Sequence, residues 1–116
     1  MGAMSEDQAT KRRVVVTGVG VLAATGIGVE DFWKGLLTDA GPGPHEVKGW
    51  DPEPWIPRKE SRRLDRFSQF ALAAAAEAFQ QAGDLTADPE RVAVSVATGI
   101  GGLASLEELI PGSYVP

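Results

Sequence analysis

The sequence has no cysteine and one histidine in 116 residues. Without cysteine there is no disulfide framework, no thiol nucleophile and no thiolate metal site within this chain. The lone His45, between Pro44 and Glu46, has no second histidine to complete a metal set or a catalytic pair, so it reads as a surface residue. Purely apolar runs last only a few residues, which excludes a membrane-spanning helix. Basic residues are outnumbered, 11 against 16 acidic, and the net charge of −5 does not suit a protein that coats nucleic acid or anionic lipid. The stretch Ser5-Glu6-Asp7-Gln8 is polar and acidic where a signal peptide would be apolar, so a cytoplasmic location is expected.

What is present is ordinary globular composition, 43% hydrophobic and 23% charged, enough for about one domain with a modest core. Residues 1–11 are expected to form a disordered tail or a leftover of expression cloning, and 12–116 the folded part. Arg12-Arg13-Val14-Val15-Val16-Thr17 is a β-branched run without alternation, the pattern of a strand buried on both faces. Gly18, Gly20, Gly26 and Gly28 then make the chain turn. A helix is expected from Val29 to about Asp39, with Glu30 and Asp31 in its first turn, an apolar stripe of Phe32, Trp33, Leu36 and Leu37, and Gly41-Pro42 as the stop.

Residues 41–57 hold five of the eight prolines and two of the three tryptophans. Such proline density leaves neither helix nor ladder, and the tryptophans predict a loop that lies down on something. A long helix is predicted from Ser61, as N-cap, to Gln81, with Gly83 as its stop. Phe67, Ala71, Ala74 and Ala78 share one face of it, and the small alanines suit close approach by another helix. Arg91 to Ala97 is a second strand, Gly99-Ile100-Gly101-Gly102 a turn, and Leu103 to Ile110 a short helix ended by Pro111. Strands alternating with helices indicate an α/β fold with parallel pairing. Two strands are too few for a stable sheet, so the chain reads as a piece of a larger one.

Three places could carry function. Gly18-Val19-Gly20-Val21-Leu22-Ala23 loosely fits a dinucleotide fingerprint, but Gly26 and Gly28 interrupt the helix that should follow, and no strand ending in an acidic residue comes next. A structural turn is the plainer reading. The window Arg58–Arg66 nets +3, with five basic and two acidic residues. Arg62 and Arg63 fall in the first turn after Ser61, where the helix dipole disfavours cations. The cluster is either a solvated helix end or a docking patch for an acidic partner. Thr98-Gly99-Ile100-Gly101-Gly102 could hold an anion on backbone amides or line a substrate channel, or it could simply need glycine for close packing. Glu107-Glu108 is a solvated helix face.

Four segments in order resemble the β-ketoacyl-[acyl carrier protein] synthases, especially the elongating type II enzymes: Arg12 to Gly20 their opening strand, Phe32-Trp33-Lys34-Gly35-Leu36-Leu37 their first helix, Arg58-Lys59-Glu60 through Asp65 to Ala71 the entrance to their long buried helix, and Thr98 to Leu103 their next glycine turn. The resemblance implies the N-terminal part of a thiolase-like fold, layered α-β-α-β-α when complete, in a homo- or heterodimer. It implies an acyltransferase that condenses malonyl-carrier protein with an acyl thioester, with loss of carbon dioxide, in fatty-acid or polyketide synthesis. It implies that Lys59, Arg62 and Arg63 contact the acyl carrier protein and that Ile100 helps gate the acyl pocket. No metal or redox cofactor is implied, since the acyl group travels on the carrier's phosphopantetheine. The family's nucleophilic cysteine and two catalytic histidines lie beyond the matched region, so no catalytic residue is assigned here and the 116 residues alone are expected to be inactive. Tyr114-Val115-Pro116 resembles a segment that in the family follows a longer loop. Two rivals remain: a non-catalytic chain-length-factor partner of a synthase, and a small nucleotide-binding domain.

Overall fold

The computed structural model describes residues 13–39, 41–42 and 46–110. The expectations for the tail, for His45, for Pro111 and for Tyr114 to Pro116 lie outside the described residues. In order, the elements are β1 (Leu22–Ala23), β2 (Gly26–Ile27), α1 (Val29–Leu36), α2 (Arg58–Ser61), α3 (Arg66–Ala82), a 3₁₀ turn (Pro89–Arg91) and α4 (Leu103–Leu109). Helices and a two-stranded sheet are what the described residues contain; β1 and β2 pair antiparallel, Leu22 opposite Ile27 and Ala23 opposite Gly26.

The glycines after Thr17 are not the turn itself: the hairpin turns at Ala24 and Thr25, Gly26 pairs within it, and Gly18 and Gly20 precede it. Gly28 ends it at φ 88°, a left-handed conformation that suits glycine, and α1 starts on the next residue. Glu30 and Asp31 stand in the first turn of α1, each 3.7 Å from Lys34, in exposed pairs that add little stability. The helix ends at Leu36, earlier than the composition suggested, and Trp33, Leu36 and Leu37 of its apolar stripe stay exposed while Phe32 is half-buried.

Helix α3 is the platform. The close neighbour of its alanine face is not another helix, as the small residues suggested, but the extended segment 18–21. A Cβ on Gly18 would stand 1.9 Å from the Ala78 carbonyl oxygen, and one on Gly20 would stand 1.8 Å from that of Ala74. Two residues of extended chain advance about 6.6 Å and four residues of helix about 6 Å, so the two periods match. The same match recurs in the polar contacts. Val19 N–H donates to Gln81 Oε1 at 2.6 Å and Val21 N–H to Glu77 Oε2 at 3.0 Å. The other oxygen of Glu77 accepts from Val29 N–H at 2.8 Å, so one carboxylate fastens both ends of the hairpin to α3.

The two predicted strands are not strands among the described residues. Residues 13–17 and 92–98 pair with no neighbour, and their valines face solvent, with Val14 93% and Val94 84% exposed. The physical reason is that the described residues offer them no β partner, and an isolated strand cannot meet its backbone hydrogen bonds. The buried apolar core of the described residues is accordingly small, Ile56 and Ala73.

Candidate functional site

The basic cluster lies at a break between two helices. Pro57 opens α2, and its carbonyl accepts from Glu60 N–H at 2.8 Å and Ser61 N–H at 3.0 Å. Ser61 is 6% exposed, and its hydroxyl donates to the Arg58 carbonyl at 3.1 Å instead of capping a following helix. Arg62 caps the C-terminal end of α2, and α3 begins only at Arg66, with Asp65 in the N-cap position. Gln69 braces the break: its Nε2 donates to the carbonyls of Ser61 and Leu64 at 2.9 and 3.0 Å.

This geometry corrects the argument from the helix dipole. Ser61 is not the cap of the long helix, and Arg62 and Arg63 are not in its first turn. Arg62 follows a helix C-terminus, where a cation is favoured. In the long helix α3 only Arg66 occupies the first position, and it is employed locally. Its guanidinium donates to the Val47 carbonyl and its Cζ lies 5.4 Å from the Phe70 ring centroid.

The proline-rich loop lies down here, as the tryptophans suggested. Trp50 Nε1–H donates to Gln69 Oε1 at 2.8 Å, and its ring meets Phe70 edge to face at 5.3 Å. Arg58 Nε stands 3.8 Å from Glu53 Oε1 of the same loop. The five basic residues therefore divide. Arg58 and Arg66 hold the loop, whereas Lys59, Arg62 and Arg63 are exposed and form no ion pair among the described residues.

The glycine turn comes to the same corner of the molecule. A Cβ on Gly101 would lie 2.4 Å from the Phe67 ring, so a side chain there would have to push the ring aside. Gly102, at φ 80°, precedes α4. Asp65 Oδ1 accepts a hydrogen bond from Ser105 Oγ, and its Oδ2 faces Gly102. A carboxylate in that position disfavours an anion at the turn; close packing holds at Gly101, whereas a Cβ on Gly99 would meet nothing within 4 Å. Ile100, 77% exposed, stands at the rim of a hollow of about 350 Å³ that Asp65, Gly101, Ser105 and Leu106 also line. Sequence reasoning passed over Asp65, Gln69 and Ser105. An aspartate directly before a helical apolar run is a cap signal that could have placed the break; nothing in the sequence announced Ser105.

The fingerprint glycines fare no better as a nucleotide site. Val19 N–H and Val21 N–H, which would have to meet a phosphate, are taken by Gln81 and by the Glu77 carboxylate.

Comparison with known proteins agrees with the resemblance. The family model described as the N-terminal domain of beta-ketoacyl synthase matches residues 45–113. The chain is 38% identical over 117 residues to 3-oxoacyl-[acyl-carrier-protein] synthase 2 of Synechocystis, covering 84% of this chain and 28% of the relative. It is 39% identical over 115 residues to the actinorhodin polyketide putative beta-ketoacyl synthase 1 of Streptomyces coelicolor, covering 84% of this chain and 24% of the relative. The Vibrio cholerae 3-oxoacyl-[acyl-carrier-protein] synthase 2 is 37% identical over 116 residues, with 84% of this chain and 28% of the relative covered. The chain thus spans about a quarter of the length of these relatives. No solved structure matches it. Neither the nucleotide-binding domain nor the chain-length factor finds support in these matches, and the chain belongs to the β-ketoacyl synthase family, to whose N-terminal domain it corresponds.

Proposed function

We propose that this chain is the N-terminal part of an acyltransferase whose complete polypeptide condenses malonyl-carrier protein with an acyl thioester, with loss of carbon dioxide, in the cytoplasm as a homo- or heterodimer. Lys59, Arg62 and Arg63 dock the acyl carrier protein, and Ile100 gates the acyl pocket. No metal or redox cofactor is called for, because the acyl group arrives on the carrier's phosphopantetheine as an activated thioester. Residues 13–17 and 91–97 become strands of the layered α-β-α-β-α fold when the remaining strands, from further polypeptide or a second chain, lie beside them. On this reading the 116 residues alone condense nothing, since they hold no cysteine to carry the acyl group.

The observation that supports docking best is the division of labour in the cluster. Arg58 and Arg66 already face groups of the chain itself, Glu53 for the first and the Val47 carbonyl and Phe70 ring for the second, whereas Lys59, Arg62 and Arg63 form no ion pair among the described residues. Free charge gathered at one helix break, in a chain that is otherwise acidic, steers an acidic partner to that corner. Reversing Arg62 and Arg63 to glutamate in the complete synthase should weaken carrier-protein binding by about tenfold at low salt, from about 1 kcal/mol for each exposed charge at most. The salt dependence of binding should flatten as well. Unchanged affinity and an unchanged salt slope, measured by titration calorimetry, refute the assignment.

A further inference from the structure

We infer that Asp65 is a positioning residue for the Ile100 turn, fixing where the gate stands by tying the start of α3 to α4. This rests on the reading of Ile100 as a gate given above. Asp65 occupies the N-cap position of α3, yet its side chain makes no cap bond. Aspartate in that position ordinarily accepts from an amide of its own helix. Here Oδ1 accepts from the hydroxyl of Ser105, the third residue of α4, and Oδ2 lies where a Cβ on Gly102 would stand 2.9 Å away.

Phe67 supplies the other hold. Its ring lies against Gly101, 2.4 Å from where a Cβ there would stand. A ring face limits approach but leaves sliding free, whereas a hydrogen bond to a carboxylate is directional. Beyond these two residues the turn is open: a Cβ on Gly99 would meet nothing within 4 Å, and Ile100 is exposed. The Asp65–Ser105 bond is therefore the directional restraint on the turn. Asp65 also lies in the four-residue connection between α2 and α3, with Arg62 and Arg63. Two of the three proposed docking residues and the anchor of the proposed gate share that one short piece of backbone.

The test uses the complete synthase carrying this segment, with Ser105→Ala, Ser105→Thr and Ile100→Ala compared by product chain length and by hydrogen exchange at residues 99–106. Ser105→Ala should raise exchange there about tenfold, the loss of one hydrogen bond to a charged group. It should also move the product distribution in the direction that Ile100→Ala moves it. Ser105→Thr keeps the hydroxyl and should return both readouts to those of the parent. If Ile100→Ala shifts product length while Ser105→Ala leaves exchange and product length unchanged, Asp65 does not position the gate. If Ile100→Ala leaves product length unchanged, the gate reading itself fails, and with it the inference drawn from it.

Discussion

Gly20→Ala tests the contact on which the described fold turns. The added methyl would stand 1.8 Å from the Ala74 carbonyl oxygen and 2.7 Å from its carbon. Those atoms belong to the backbone of α3 and cannot swing aside as a side chain would. Restoring an ordinary contact of about 3.5 Å means lifting the segment by about 1.7 Å. That lift carries Val19 N–H away from Gln81 and Val21 N–H away from Glu77, which now sit at 2.6 and 3.0 Å. Overpacking costs about 1–3 kcal/mol, and each broken hydrogen bond adds about 1 kcal/mol, so a loss of about 3–5 kcal/mol is expected. Denaturant unfolding of the chain, followed by far-UV circular dichroism, reads it. Gly99→Ala is the control, since its Cβ enters open space and should cost no more than about 0.5 kcal/mol. Ala74→Gly should not rescue Gly20→Ala, because the clash is with a carbonyl that glycine retains. Equal stability of the Gly20 and Gly99 variants, or rescue by Ala74→Gly, refutes the packing argument.

Glu77→Gln should cost less than Glu77→Ala. Gln keeps one acceptor for Val21 or Val29, whereas Ala orphans both amides at about 1–3 kcal/mol each where they remain buried; hydrogen exchange at those two amides separates the cases, and equal protection in both variants would contradict the clamp. Trp50→Phe keeps the edge contact with Phe70 but loses the donor to Gln69 Oε1. It should destabilise by about 1 kcal/mol, and Gln69→Leu should cost more because it also releases the carbonyls of Ser61 and Leu64; the reverse order in a denaturant titration would put the brace elsewhere.

Much of the local structure was legible because local chemistry decides it. Gly28 and Gly83 mark helix boundaries, acidic residues open α1, and proline density keeps 46–57 out of helix and ladder. The family was legible for another reason: four segments kept their order and spacing. The break at 62–65 was not legible, because Ser61 and Asp65 are both good caps and the choice between them is made at a distance. Gln69 captures the carbonyls of Ser61 and Leu64, and Trp50 holds Gln69 in place. The role of Glu77 was hidden in the same way. A carboxylate on an alanine-rich helix looks like solubilising charge until segment 18–21 lies across it.

The valine segments mark where local chemistry stops deciding. Extended chain needs acceptors for its amides, and beyond the short β1–β2 pairing the described residues provide them where Gln81 and Glu77 reach Val19 and Val21. A helix can lend side chains to an adjoining strand for two or three residues, but it cannot serve a whole one, because each turn presents only one or two long polar groups to that side. Val14 to Val16 and Val92 to Val96 lie past that reach, with apolar side chains exposed and β-branched residues already favouring the extended form. Burying one valine is worth about 1.5–3 kcal/mol, and an open strand edge is a template for another strand. The segments are therefore set for a β partner on grounds independent of family membership. Complementation tests this directly: adding the remaining synthase polypeptide in trans should protect the amides of residues 14–16 and 92–96 from exchange. Continued rapid exchange at those positions in a complex that does form would mean that these valines are not sheet strands at all.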